Sequence, residues 1–476
     1  MKKITYIFCL FTLLFGSVSC DNFLDITPDG QVDRDKLLST PEGIEDALYG
    51  CYSQLRNSSL YGQELSFSTM DILAQYMNCK GNSAVEALGN YEYQNTDVKD
   101  VFERIWVEMY KNISNVNSVI NAPLIQKANE FPYNIYRGEA LALRAFMHFD
   151  LMRIYAEQIT LNPDAKGIPY ATTFSLITPD FEKLGKNYDH VLADLLEAEE
   201  LLKDENNYTD ATPFMKDRQI HLNHSAVQAL LARVYLTMGN KEKAAEYALK
   251  VIEESGYGLT EKTEVQGDLA GILSKKETLF GVYFAEYYRN VKSKLQETTS
   301  YFSLNPRNDI LSVYEREANG LDFRPSAYFT TIDLGGTPTI RLSKLTEVYE
   351  LQGIPGSRPA DLILGINLIR MPEMYYIAAE ALLDTDYEKA VALFDEVLAH
   401  RGLKPMAERD EPLTMDLINL DRYKEFIGEG QTFYNMKRQH LSIEKYDVNS
   451  STVVTVQPDK KIFTVPVPDI ENSNRW

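Results

Sequence analysis

Tyrosine is the side chain this sequence concentrates: thirty, against two tryptophans. Most fall in helix-periodic stretches and are expected in a core. Others stand where that periodicity stops: Tyr91 and Tyr93 in one interval, and Tyr301, Phe302 and Tyr328 in another, with Asn305 and Asn308 near them in sequence. A flat aromatic ring matches the apolar C–H face of a sugar, and an amide hydrogen-bonds the hydroxyls in the ring plane. These seven residues form the candidate ligand-binding set and are expected on one exposed face.

The patterns that carry covalent or metal chemistry are missing. The sequence contains no GxSxG elbow, P-loop, HExxH or GxGxxG. Its six histidines are scattered. The run His221-Leu222-Asn223-His224 brings two imidazoles close but immediately precedes a helical stretch, where capping is the simpler use. Asp384, Asp386 and Glu388 lack the glycine and distal glutamate of a calcium loop and read as a polar turn between helices. Carboxylates are so numerous that no pair of them singles out a glycosidase. No catalytic residue, metal ligand or cofactor is expected. Cys51 shares a helical face with Leu48 and Leu55 and reads as a small buried hydrophobe. An oxidising compartment permits a Cys51–Cys79 bridge without implying one.

The elements that must position such a face are helical. Phe102, Ile105, Trp106, Met109, Ile113, Val116 and Ile120 recur at three- and four-residue steps. The same spacing runs through 137–156, 191–202, 226–252, 374–383 and 390–398. Asp97 or Asp100 is placed to cap the first of these helices, and Asn223 or Ser225 the helix from 226. Two stretches have tetratricopeptide-like offsets: Ala232, Tyr235, Gly239, Ala244 and Ala248, then Ala378, Ala381, Thr385, Ala390 and Phe394. Small residues at such places let antiparallel helices approach closely. From 257 to 359 Gly, Pro, Asn, Thr and aromatics replace the helical period, and 76–96 is a shorter interval of the same kind. Loops this long inside a folded domain are usually functional. The fold class is therefore mainly α, a scaffold of tetratricopeptide-like pairs with a long irregular, loop-rich ligand-binding insertion. The expected organisation is a signal peptide over 1–19, a helical scaffold over 20–256, the ligand region over 257–359, and helices with a tail over 360–476. Within that tail, 462–469 reads as an extended edge segment because of Pro466 and Pro468.

The N-terminus has the pattern of a targeting segment. Lys2 and Lys3 precede an apolar run over 4–15, shorter than the ~20 residues that span a bilayer, and Gly16-Ser17-Val18-Ser19-Cys20 supplies a small-residue cleavage site. A cysteine directly after the site implies a lipoprotein acylated at Cys20, anchored to a membrane and not inserted in it. Ordinary secretion is the alternative, because Ser17-Val18-Ser19 also fits a small-x-small peptidase site. The net charge of −21 excludes phosphate neutralisation along a binding face, and hence nucleic acid as a partner.

Four segments then resemble one family. Arg137-Gly138-Glu139-Ala140-Leu141-Ala142-Leu143-Arg144-Ala145-Phe146-Met147-His148-Phe149-Asp150-Leu151 is similar to the "EA…LRA…HFDL" helix of the SusD/RagB family, surface lipoproteins of Bacteroidetes that help import glycans. Arg370-Met371-Pro372-Glu373-Met374-Tyr375 through Ala379-Glu380-Ala381 resembles its "R…EMYL…AEA" helix. Glu425 to Gly430, with Lys437-Arg438, resembles its "E…EGxRxxDLKR" segment, with Gln431 and Asn435 in place of commoner residues. Val465-Pro466-Val467-Pro468-Asp469-Ile470-Glu471 is similar to its closing segment. The resemblance implies a helical scaffold and a loop-built ligand face. It also implies a lipid anchor in the outer membrane, cell-surface exposure, an oligosaccharide ligand, and a SusC-like TonB-dependent transporter that the protein would cap.

Three functions remain open on these residues: non-catalytic oligosaccharide binding for an importer, peptide binding on the same scaffold, and a secreted hydrolase with an unrecognised site. The anchor is testable by itself. Each acyl methylene contributes ~0.8 kcal/mol of membrane transfer, so Cys20→Ser is expected to move the protein from the membrane to the soluble fraction. Full retention of the variant on washed membranes would exclude lipidation.

Overall fold

The computed structural model describes residues 34–79, 81–127, 130–175, 177, 179–209, 211–261, 273–295, 304–316, 322–345, 363–447 and 450–473. Cys20, Tyr301 and Phe302 lie outside them. In chain order the longer helices are α1 (Pro41–Leu55), α2 (Ser83–Gly89), α3 (Thr96–Ile120), α4 (Tyr133–Tyr155), α5 (Leu184–Leu202), α6 (His224–Thr237), α7 (Lys241–Glu254), α8 (Tyr287–Leu295), α9 (Met371–Leu382), α10 (Tyr387–His400), α11 (Met415–Glu425) and α12 (Thr432–Gln439). The strands form four separate antiparallel ladders. These are β1 (Lys166–Pro169) with β2 (Phe181–Lys183), β3 (Thr278–Tyr283) with β6 (Gly365–Arg370), β4 (Phe329–Leu334) with β5 (Thr337–Leu342), and β7 (Ile443–Asp447) with β8 (Thr452–Val456). Among the described residues no helix is long and apolar enough to cross a membrane.

The fold is mainly α, as the periodicity implies, and the apolar positions of α3 from Phe102 to Ile120 are buried. Its cap is Asn95, whose side-chain oxygen accepts the Asp97 N–H at 3.0 Å. Asp97 and Asp100 are exposed and do not cap it. Asn223 caps α6 as expected, accepting from the Ala226 N–H at 2.9 Å, and Asp386 caps α10. Helices α6 and α7 form one antiparallel pair and α9 and α10 the other, with Ala232, Ala244, Ala378 and Ala390 buried in them. Although far apart in sequence, the pairs are neighbours in space, because α7 packs on α9. The row continues through α5 and α4 to α3 and α1.

Helix α4 is buried along nearly its whole length, and its polar residues are matched one by one. Glu139 accepts from Tyr52 Oη at 2.6 Å and contacts His221 Nδ1 at 2.9 Å, with Arg218 at 2.6 Å. Arg144 binds Asp194 through two nitrogens at 2.8 and 2.7 Å. His148 accepts from the Ala171 N–H on Nε2 and faces the Arg144 carbonyl with Nδ1. That pairing fixes a neutral ring, and burial pushes its pKa down to about 3. Asp150 accepts from Tyr61 Oη and from Arg153. The last carbonyls of α4, at Arg153 and Ala156, accept from Lys437 Nζ.

Several expectations are corrected. The interval 257–359 is not simply irregular: it contains β3, α8 and the β4–β5 hairpin. The β3–β6 ladder, in register from Thr278↔Arg370 to Tyr283↔Gly365, crosses the boundary expected at 359/360. Residues 462–469 form no edge strand; Ile462 and Phe463 end a helical turn at Lys460–Phe463, and the Val465 N–H bonds to the Ile154 carbonyl in α4. The β7–β8 hairpin was not anticipated. Cys51 is buried and Cys79 half-buried, and both thiols are free.

Acid should unfold this arrangement. Burial alone would raise Glu139, but Arg218 and His221 outweigh it and hold the carboxyl at about 2. Burial is likewise outweighed at Glu380, where Arg438 and Arg422 hold it at about 2. A carboxyl depressed in the folded state contributes stability above its ordinary value near 4.5 and loses it as pH falls towards 2. Each shift corresponds to stabilisation on the order of 3 kcal/mol. The depressed His148 loses stability in the same direction, from its ordinary 6.5 downwards. Asp71, whose buried carboxyl is raised to about 8, favours folding as pH falls and offsets the His148 loss above 4.5. The expected outcome is a Tm that changes little between pH 6.5 and 4.5 and falls steeply between 4.5 and 2; a flat profile below 4.5 would contradict the pairings.

Candidate functional site

The two helix-poor intervals meet. Met77 and Pro306 form an antiparallel bridge, the Asn78 N–H donates to the Asn305 carbonyl at 2.7 Å, and the Arg307 N–H to the Tyr76 carbonyl at 2.8 Å. Beside this junction a cleft of about 840 Å3 opens. One wall is the segment 63–72, a second is Gly81 to Leu88 on and before α2, and a third is the outer face of α3. Lys294 at the end of α8 and Leu304 close it from the other interval.

A buried ion network holds the first wall in place. Glu425, at the end of α11, accepts from Arg401 Nε and Nη2 at 2.9 and 3.0 Å, from Arg370 Nη1 at 3.0 Å, and from Arg324 Nη1 at 3.3 Å. Arg370 also clasps Glu429 through Nε and Nη2 at 2.9 and 2.6 Å, while Lys344 Nζ donates to Glu429 at 2.6 Å and to the Glu425 and Ile427 carbonyls. Burial opposes the charge on Glu425, yet Arg401 and Arg370 keep its carboxyl well below the usual range. The network thereby fixes the turn 426–430. From it the Gly428 N–H donates to Asp71 Oδ2 at 2.6 Å, anchoring the short helix Thr69–Leu73. Gly430 has φ +70, and a Cβ there would lie 2.1 Å from the Leu65 carbonyl oxygen, so only glycine allows this approach. Burial pushes the Asp71 carboxyl up to about 8. The second interval is tied down from the same side, because Tyr76 Oη donates to the Tyr423 carbonyl on α11 at 2.5 Å.

The cleft has a polar rim and an apolar floor. Ile72, Val85, Leu88, Val98 and Val101 line its base. Asp97, Asp100 and Arg104 lie three and four residues apart on α3, so they share one face, and all three are exposed. Glu64 accepts from Thr69 Oγ1 at 2.6 Å and from Gln63 Nε2 at 2.9 Å, and Asn82 caps α2 through its side-chain oxygen. Among the described lining residues there is no histidine, cysteine or aromatic ring. Such a lining can donate to and accept from a hydroxyl-rich or charged ligand.

Among the described residues the expected aromatic face is not assembled; Tyr301 and Phe302 lie outside them. Tyr93 is 6% exposed, stacks edge-on against Phe102, and donates to the Ile462 carbonyl at 2.6 Å. Tyr328 is 4% exposed, with its hydroxyl 3.4 Å from Glu425. Tyr91 is half-buried, its hydroxyl donating to the Leu73 carbonyl at 3.1 Å and accepting from Gln75. Tyr93 and Tyr328 are thus corrected from surface to core, whereas Tyr91 is only half-buried, with its hydroxyl bonded internally. Asn305 sits at the junction itself, with Oδ1 accepting from Arg341. Asn308 is exposed but does not line the cleft. Tyr301 and Phe302 fall in sequence between the lining residues Lys294 and Leu304. Sequence reasoning missed Asp97, Asp100 and Arg104, taking the two acids for helix caps; their shared face with Val101 was the available signal.

With this geometry in view, two family profiles match the chain. One, described as "Starch-binding associating with outer membrane", covers residues 22–236, and one described as "SusD family" covers 364–467. The chain belongs to the SusD family. Its relative "SusD-like protein P2" of Formosa agariphila is 24% identical over 99% of this chain and 98% of its own. A SusD superfamily protein of Bacteroides thetaiotaomicron superposes with a TM-score of 0.72 at 24% identity, over 91% of this chain and 97% of that one. A laminarin-binding SusD-like protein superposes with a TM-score of 0.62 at 18% identity, over 84% and 91%. These likenesses establish the fold. The two profile matches leave 237–363 uncovered, which includes the cleft residues Lys294 and Leu304.

If Tyr93 is core, Tyr93→Ala should cost about 3–5 kcal/mol of stability through the cavity it leaves, and Tyr93→Phe about 1 kcal/mol through the lost hydrogen bond. Thermal or denaturant unfolding reads both. An unchanged Tm with weakened ligand binding would return Tyr93 to a binding surface.

Proposed function

We propose that this SusD-family chain is a non-catalytic oligosaccharide-binding protein, and that the cleft between α2, α3 and the Lys294–Leu304 ends is its binding site. The observation that carries the reading is that the two helix-poor intervals, from distant parts of the chain, pair through their backbones beside one large cleft with a polar rim. The starch-binding description of one matching family profile and the laminarin-binding structural neighbour support the ligand class. Asp97, Asp100 and Arg104 bind hydroxyls, and Tyr301 and Phe302 are the stacking rings of the set first read from sequence. We extend the reading to delivery of the ligand to a SusC-like TonB-dependent transporter in the outer membrane, which the family resemblance supports. An acyl chain on Cys20 would keep the protein near such a partner at high effective concentration.

A second reading rests on the same lining. Side chains of both signs facing one space, Asp97 and Asp100 with Arg104 and Lys294, also suit a short peptide, whose termini carry both charges.

A glycan array and a peptide panel on the purified protein separate the two, followed by calorimetry with the best ligand. Asp100→Ala and Arg104→Ala are each expected to weaken binding by about 1.5–3 kcal/mol, the range for hydrogen bonds to charged groups. Tyr301→Ala and Phe302→Ala should each cost about 1 kcal/mol. All four should leave Tm nearly unchanged. Peptide hits without glycan hits would favour the second reading, and undiminished binding in Asp100→Ala and Arg104→Ala would move the site elsewhere.

A further inference from the structure

A second cavity, of about 80 Å3, lies where α4, α6, α9, α11 and α12 converge, and it shares no residue with the cleft. Four guanidiniums line it: Arg153, Arg233, Arg422 and Arg438. Their partners are fewer. Arg153 pairs with Asp150 and Arg233 with Glu373, whereas Arg422 and Arg438 share the single carboxylate of Glu380. The cluster therefore carries one positive charge in excess of its carboxylates. An uncompensated charge inside a protein is strongly destabilising.

Two donors on the cavity wall are also unmatched. Arg233 uses Nε and Nη2 on Glu373 and on the Leu368 carbonyl, and its Nη1 is buried with no acceptor among the described residues. Tyr434 Oη is likewise buried without a partner. The residues are 4% and 5% exposed. Burial raises the Tyr434 pKa, so its hydroxyl stays protonated and able to donate. Burial, and then repulsion by Arg438, act against the charge of Arg422, while Glu380 supports it. An isolated buried donor is destabilising, and excess charge and idle donors have one remedy in common. A water molecule would satisfy the donors and leave the charge.

We propose that this cavity is a binding site for a small monovalent inorganic anion of halide size, held by Arg233 Nη1 and Tyr434 Oη. The volume exceeds the roughly 10–15 Å3 that one water requires, leaving room for an ion and accompanying water. Bound there, the anion joins α12 to α6 and α9 and becomes part of the scaffold.

Two measurements on the purified full-length mature protein test it, with chloride and bromide as probes. Tm in sodium chloride should exceed Tm in sodium gluconate of equal ionic strength, with a rise that saturates with concentration as for a ligand bound only by the folded state. Tyr434→Phe should lose at least half of that rise. Crystals of the unmutated protein grown in bromide should show anomalous density within hydrogen-bond distance of Arg233 Nη1 and Tyr434 Oη, and this decides the matter should the variant fail to fold. Equal Tm in the two salts, a chloride effect undiminished in Tyr434→Phe, or density for ordered water only would each overturn the site.

Discussion

Inside this protein the carboxylate of Glu425 is surrounded by three guanidiniums, those of Arg324, Arg370 and Arg401, none of them more than a few per cent exposed. A charge so placed is tolerable only because each partner is itself satisfied, by Glu277, Glu429, Asp322 or Asp421. Replacing one member would strand the others, a loss of about 3–5 kcal/mol in buried pairs generally. The network draws its members from four places that no single helix could join. Arg370 heads α9, Glu425 ends α11, Arg401 follows α10, and Arg324 and Glu277 come from the interval between the helical pairs. It is the weld between the regular scaffold and the irregular part that carries the cleft.

From that weld the geometry of the cleft follows by short steps. Glu425 and Glu429 fix the 426–430 turn, Gly428 and Gly430 bring it against Asp71 and Leu65, and the helix at Thr69–Leu73 then presents Thr69 and Ile72 to the cleft. Tyr76 fastens the shorter helix-poor interval to α11, and Arg307 fastens the longer one to β7. The exposed acids and arginine of α3 need no such support, since the helix itself aligns them.

The scaffold was legible in the sequence because its signal is local. A helix declares itself through apolar residues at three- and four-residue steps, and small residues at Ala232, Ala244, Ala378 and Ala390 announce close helix pairs. The four family-like segments were legible as segments, but the purpose of their charged residues was not. Glu139 meets Arg218 and Arg144 meets Asp194 across stretches that no spacing rule connects. The same limit explains the misplaced aromatics. Tyr93 looked free because no helix face claims it, yet the carbonyl that accepts its hydroxyl belongs to Ile462, near the other end of the chain. An irregular segment can bury its rings as thoroughly as a helix once a distant strand of chain is laid over it. Conversely, Asp97 and Asp100 looked structural because they stand where helix caps stand, and only the position of Asn95 released them for the cleft.

The pairing of β3 with β6 has one more consequence. Among the described residues these strands are the first and last regular elements of the stretch that separates α7 from α9, and they bond directly to each other. The stretch thus leaves and re-enters the helical row through a narrow clasp, while α7 and α9 already touch beneath it. Because the clasp carries the mechanical continuity, the chain that it encloses, residues 284–364, can lengthen, shorten or change composition with little penalty to the row, since loop closure grows only slowly with length. Such an architecture works as a socket with interchangeable fittings: the frame and most of the cleft stay in place while the segment that brings Lys294 and Leu304 to it can be exchanged.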